Sequence, residues 1–285
     1  MRVTLLGTGG PRPDPVRQGP ATLVEADGLS LLFDAGRGVA TQLARAGVPI
    51  MDLDAVFITH HHFDHIGGLA DLLMSMWNLG RTKPLPVVGP HGTGSIVNSM
   101  FEHVYARDIA YRITEESHLG RSMGAPSDFI QVTETLDGST EFSGGVTVRS
   151  GRVEHGSSVL GFSAEEWSAC GYRVSTERDH VAVSGDAVGG LDLESLAAGA
   201  DALVMCAYLS EDEIRSEDDR FLSDKIIAGA PQAAGIAATA RAERLILTHI
   251  REKSDEALER MKAQVSEIFP GEVIIGHDLL SIEIS

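Results

Sequence analysis

The chain has 285 residues and a formal net charge of −18, with 43% hydrophobic and only 5% aromatic side chains. That length suits one large domain or two tightly fused halves, with a core built from Leu, Val, Ile and Ala. The acidic balance argues against a surface that tracks phosphates, so nucleic acid is not an expected partner. Cys170 and Cys206 are too few for a disulfide framework, and no apolar stretch approaches the ~18 residues of a membrane helix. A soluble, cytoplasmic, unprocessed chain without membrane contact is therefore expected.

Residues 2–6 read as a strand that ends in the turn-rich Gly7-Thr8-Gly9-Gly10-Pro11. Residues 22–26 and 30–34 form a hairpin across Asp27-Gly28, a strong hairpin dipeptide. Asp34-Ala35-Gly36-Arg37-Gly38 then leads into a helix through Arg45. Its glycines read either as a phosphate cradle at a helix start or, more simply, as a tight structural turn. Residues 54–59 are apolar and β-branched, the mark of a buried strand.

That strand runs into Ile58-Thr59-His60-His61-His62-Phe63-Asp64-His65-Ile66-Gly67-Gly68. Four metal-competent side chains, His60, His62, Asp64 and His65, fall within six residues there. Imidazoles and a carboxylate on a strand-to-helix loop suit an N/O-ligated cation such as zinc. The remains of a purification tag would sit at a terminus, not behind a core strand. A helix follows over 69–77.

Residues 93–104 read as a further helix. Segment 105–129 carries Tyr105, Arg107, Tyr111, Arg112, His118 and Arg121 and then a Gly/Pro/Ser stretch. It reads equally as a helical lid over a pocket or as a solvated pair of surface helices. Short strands return at 130–132, 146–149, 152–155, 171–174 and 180–184, with a helix over 191–198 and a buried strand at 202–205. The acidic run 211–219 is a solvated face. An Ala-rich helix (230–242), a strand (245–248), an amphipathic helix (253–268) and two closing strands complete the chain. Strand blocks followed by helices in each half fit a layered α/β sandwich. His155, Asp186 and His249 each stand at the C-terminal end of an apolar strand, where loops gather into sites.

The His60-x-His62-x-Asp64-His65 pattern resembles the signature of the metallo-β-lactamase superfamily. Leu-Gly-Thr-Gly at 6–9, Phe-Asp-Ala-Gly at 33–36 and Pro-Leu-Pro-Val-Val-Gly-Pro at 84–90 resemble landmarks of one branch. That branch holds ribonuclease Z and the arylsulfatase- and alkylsulfatase-like hydrolases. The resemblance implies a single domain of two similar halves, about 1–150 and 151–285, stacked as αββα with metals at one edge. It implies that His60, His62 and His155 hold one zinc, that Asp64, His65 and His249 hold a second, and that Asp186 bridges both. Asp34 would orient a ligand histidine, and His61 matches a non-ligand position. A homodimer is adopted from the resemblance alone.

Two departures from ribonuclease Z stand out. Val204-Met205-Cys206-Ala207-Tyr208 occupies the place of a His-Glu-Ala-Thr stretch that assists leaving-group protonation, and Asp34-Ala35-Gly36-Arg37-Gly38 replaces Asp-Cys-Gly-Glu-Gly. Segment 105–129 also lacks the look of that enzyme's RNA-clamping insert. The expected activity is thus a dinuclear, metal-dependent hydrolysis of small-molecule ester bonds (phosphodiester, aryl or sulfate ester) through a hydroxide shared by the metals. Asp64 and Asp186 would hold that nucleophile, and 105–129 would close over a small anionic or aromatic substrate. Hydrolysis of a carboxylic ester, lactone or lactam is the alternative, and RNA processing ranks below both. A purely structural site is disfavoured, since structural zinc closes with four ligands.

Overall fold

A computed structural model describes residues 1–284. The strands in chain order are β1 (Arg2–Gly7), β2 (Ala21–Ala26), β3 (Leu29–Phe33), β4 (Ala55–Phe57), β5 (Leu85–Gly89), β6 (Ile130–Glu134) and β7 (Gly138–Glu141). They continue with β8 (Thr147–Val153), β9 (Ala169–Ser175), β10 (His180–Val183), β11 (Ala202–Cys206), β12 (Arg244–Thr248), β13 (Glu272–Ile275) and β14 (Leu280–Glu283). The helices are α1 (Val39–Arg45), α2 (Phe63–Ile66), α3 (Leu69–Asn78), α4 (Thr93–Ser99), α5 (Ala106–His118), α6 (Ser157–Leu160), α7 (Leu191–Ala197), α8 (Glu217–Phe221), α9 (Ala230–Ala240) and α10 (Asp255–Ile268).

Two seven-stranded sheets result, ordered β14-β1-β2-β3-β4-β5-β6 and β13-β12-β11-β10-β9-β8-β7. The β2–β3 hairpin turns at Asp27 and Gly28, both at positive φ (47° and 83°), the two-residue turn that matches strand twist. Phe33 pairs with Phe57 in the parallel β3–β4 register. Their rings stack at 5.0 Å, and Tyr172 of the opposite sheet meets Phe57 edge-on at 5.3 Å. Those aromatics belong to an inter-sheet core that also takes Val3, Leu5, Val174 and Val204. One outer core joins the first sheet to α1 and α3 through Leu43, Leu72 and Met76. The other joins the second sheet to α7, α9 and α10 through Leu193, Ala234 and Met261. Helix–sheet–sheet–helix layering follows, as the sequence implied.

Three details differ from the sequence reading. The motif loop contains a one-turn helix, α2, and the helix read over 93–104 passes at Ser99 into a wide π turn, Met100–Val104. Segment 105–129 holds one long helix rather than a pair. It lies against α3, where Trp77 Nε1 donates to the Gly124 carbonyl at 2.8 Å. Tyr111 and Arg112 wall a cavity of about 270 Å³ with Met74 and Trp77. None of the segment lines the cavity over the histidine motif.

Candidate metal centre

β4, β8, β10 and β12 all deliver their C-terminal ends to one edge of the sandwich. His60 and His62 follow β4, and Asp64 and His65 ride on α2. His155 follows β8, Asp186 follows β10 and His249 follows β12. The second sheet is pinned to the start of the motif loop by Tyr172, whose hydroxyl donates to the Ile58 carbonyl at 2.7 Å.

Beneath the motif lies the glycine-rich turn after β3. A Cβ on Gly36 would fall 2.4 Å from the Gly19 backbone and 2.6 Å from the Asp64 carbonyl, so only glycine lets these loops cross. Its amides serve that packing: Ala35 N donates to His65 O and Gly68 N to Ala35 O, each at 2.8 Å. Spending these amides on loop packing supports the structural reading of the turn. It delivers Asp34, at φ 59°, under the motif. One Asp34 oxygen accepts from Thr59 N at 2.8 Å, and the other accepts from Thr59 Oγ1 at 2.8 Å and His65 Nδ1 at 2.7 Å. Thr59 Oγ1 in turn lies 2.9 Å from His60 Nδ1. His155 Nδ1 donates to the Ile226 carbonyl at 2.6 Å. Each imidazole bond holds a proton on Nδ1, which leaves Nε2 of the neutral His60 and His155 rings with a free lone pair and aims His65 Nε2 at the cluster.

Those lone pairs converge in two groups that could hold metal ions, His60, His62, His155 and Asp186 in one and Asp64, His65 and His249 in the other. In the first, His62 Nδ1 stands 3.0 Å from His60 Nε2 and 3.1 Å from His155 Nε2. Three converging imidazoles cannot all satisfy one another with protons. Nitrogens bound to one tetrahedral zinc stand ~3.3 Å apart, close to what is found. In the second, His249 Nε2 is 3.3 Å from both Asp64 Oδ2 and Asp186 Oδ2. His65 Nε2 and Asp186 Oδ1 face each other at 3.4 Å, buried and without a hydrogen bond of acceptable geometry. Asp186 reaches both groups. Orphaned donor atoms aimed at shared points fit a pair of cations.

Charge balance supports that fit. Burial, reinforced by neighbouring imidazoles, holds His60 well below the ordinary histidine range and brings His62 down to about 4. Burial lowers His155 as well. All three stay neutral at pH 7, the state a ligand requires. At His65 burial works in the same direction, but the carboxylates of Asp186 and Asp34 outweigh it and raise the group. Burial alone would raise Asp64 and Asp186. At Asp64 the hydrogen bond from His249 together with the His65 and His249 charges outweighs it, and at Asp186 the combined His249 and His65 interactions do, so both carboxylates are depressed.

A cavity of about 300 Å³ opens over the cluster. Besides candidate ligands its wall is Pro11, Phe63, Tyr208, Leu222, Ile226 and Ile227. A neighbouring cavity of about 170 Å³ shares Tyr208 and adds Arg12, Asp14, Arg251 and Glu252. His61 points elsewhere, with Nε2 2.9 Å from Thr93 Oγ1. Trp167 was not singled out from sequence, yet its ring packs 4.6 Å from His62 and 6.0 Å from His60. Its only sequence signal is that the chain holds two tryptophans and one stands in a polar loop. Met205 and Cys206, in place of the His-Glu pair, are buried, and Cys206 is engaged by the Ala187 backbone.

The family model for the beta-lactamase superfamily domain matches residues 30–250. Ribonuclease Z of Mycobacterium marinum is 35% identical over 290 residues, spanning 100% of this chain and 99% of the relative. Among solved structures, human tRNase Z, short form, superposes with a TM-score of 0.69 at 25% identity, with both chains covered fully. The metallo-beta-lactamase fold protein YhfI from Bacillus subtilis gives 0.72 at 20% identity over 99% of this chain and 98% of its own, a likeness of fold. These relatives overturn the expectation of a small-molecule ester, lactone or lactam as substrate, and that of a chain indifferent to nucleic acid. The error was to read a whole-chain charge as a local one: the cavity beside the cluster sets Arg12 and Arg251 among Asp14 and Glu252, a balanced wall that the total of −18 does not describe. No described helix is long and apolar enough to cross a membrane. The chain belongs to the metallo-β-lactamase superfamily of metal-dependent hydrolases, within the ribonuclease Z branch.

Proposed function

We propose that the chain is a zinc-dependent ribonuclease of the ribonuclease Z type, which hydrolyses a phosphodiester in a transfer-RNA precursor. The observation that carries this reading is the full-length likeness to relatives named Ribonuclease Z, joined to two converging sets of N/O donors. His60, His62 and His155 would hold one ion, Asp64, His65 and His249 the other, and Asp186 both. Imidazole and carboxylate donors in near-tetrahedral array favour zinc. When bound, the ions would supply Lewis acidity and a water ionised near neutral pH.

The chain's own residues do the rest. Asp64 and Asp186 orient the attacking water, while Leu222, Ile226 and Ile227 keep bulk solvent off the reacting phosphate. Arg12 and Arg251 offer guanidinium donors to a flanking phosphate. We place the reaction in the cytoplasm, whose reducing conditions suit the two free thiols Cys170 and Cys206. The test is a cleavage assay on a transfer-RNA precursor with protein whose metal content has been measured. Discrete cleavage, lost in Asp186→Ala, is expected. Protein with two ions per chain and no cleavage refutes the reading.

A further inference from the structure

Hydrolysis of a phosphodiester expels an alkoxide, which at neutral pH must collect a proton as it leaves. The donor has to bear a proton, touch the substrate cavity and not be tied up as a ligand. Of the six wall residues outside the candidate ligand set, five are Pro, Phe, Leu or Ile and carry no side-chain heteroatom. Tyr208 is the remaining one.

Its placement is firm. The Tyr208 amide donates to the Ala228 carbonyl at 3.1 Å, and its carbonyl accepts from Lys253 Nζ at 3.4 Å. The ring sits 5.7 Å from that of His249, tilted by 61°. Among the described residues no side-chain hydrogen bond engages its hydroxyl, and the residue lines the cavity, so the phenol is available to a bound substrate. Tyr208 also forms part of both cavities, and stands on the ridge between the candidate ligands and the pair Arg12 and Arg251.

We infer that Tyr208 donates the proton to the departing oxygen. This rests on the proposed reading that the bond broken is a phosphodiester. In the step, a water oxygen bonds to phosphorus and the bond from phosphorus to the leaving oxygen breaks with its electron pair. That oxygen takes the Tyr208 hydroxyl proton, and the proton shed by the attacking water returns through solvent to the phenolate.

The experiment compares wild type with Tyr208→Phe, which keeps the ring against His249 and removes only the hydroxyl. Both proteins are loaded with zinc, their metal content is measured, and kcat is taken on aryl phosphodiesters of graded leaving-group acidity. With p-nitrophenolate, which leaves without a proton, the two should match. As the leaving group becomes more basic the variant should fall behind, by about a hundredfold on a precursor RNA, with KM nearly unchanged. A variant that loses metal, or is slowed equally on every leaving group, makes Tyr208 a packing residue and overturns the assignment. Failure of wild type to cut RNA while it cuts the aryl diesters would refute the ribonuclease reading instead, and the leaving-group series would still decide Tyr208.

Discussion

Asp34→Asn is nearly isosteric, yet it should disturb both halves of the centre. In the native wiring Asp34 accepts from His65 Nδ1 at 2.7 Å and from Thr59 Oγ1 at 2.8 Å. Because that hydroxyl donates to Asp34, its oxygen can only accept from His60 Nδ1, 2.9 Å away. An amide NH₂ in place of the carboxylate oxygen becomes a donor. It would meet His65 Nδ1 as an acceptor, and it would turn Thr59 to donate to His60. Both rings would then carry the proton on Nε2, the nitrogen aimed at the cation. Losing such a partner typically weakens metal binding 10–100-fold, or about 1.4–2.8 kcal/mol for each ion.

Calorimetric titration of metal-free protein with zinc reads this directly. Asp34→Asn should weaken both binding events. Thr59→Val, which breaks only the link to His60, should weaken chiefly the one that involves His60, His62 and His155. Unchanged affinity for both ions in Asp34→Asn would show that the tautomers are set by something else, and the relay would be wrong.

Other perturbations probe separate parts of the site. A Cβ on Gly10 would stand 2.7 Å from His249 Cε1, so Gly10→Ala should push that ring aside and lower bound metal from about two ions toward one, read by metal analysis. Asp64→Ala should cost several kcal/mol of transition-state stabilisation on RNA, and His61→Ala far less, since His61 faces Thr93. Equal losses in kcat/KM would mean that the register of the motif is misread. In metal-free protein, His62 is depressed to about 4 while its unfolded value is near 6.5. The unfolded chain then binds more protons between those values, so stability should fall on acidification from pH 6.5 toward 4. His65, which is raised, works in the opposite sense and retains its contribution at low pH. Denaturant midpoints across that range should slope less in His62→Gln than in wild type.

Most of the fold was legible because its signals are local. Asp27-Gly28 sets one hairpin, and apolar β-branched runs mark the buried strands. Four donors in six consecutive residues announce a cation without any partner in view. His155, Asp186 and His249 are another matter. Each is a lone polar residue at a strand end, and only the stacking of two sheets brings them to the motif, so resemblance had to supply them. Trp167 was invisible for the same reason: its contact with His62 is made by a loop that follows a different strand. Segment 105–129 shows the limit of an amphipathic pattern. Periodicity says that one face of α5 is covered, but the covering partner, α3, is not written in the segment itself.

Charge was the costliest signal to read globally. Exposed charges more than ~8–10 Å apart are screened from one another at physiological salt, so a total of −18 says little about the field at one edge. The total also counts Asp34, Asp64 and Asp186 as bare anions. Two divalent ions would take the local balance of those carboxylates from about −3 to about +1, while the chain as a whole moves only to about −14. A cluster that repels phosphate when empty would attract it when filled, with Arg12 and Arg251 adding donors at the rim. On the proposed reading, the acidic balance of the chain would discourage indiscriminate adhesion to RNA and leave attraction to the edge where the sheets deliver their histidines.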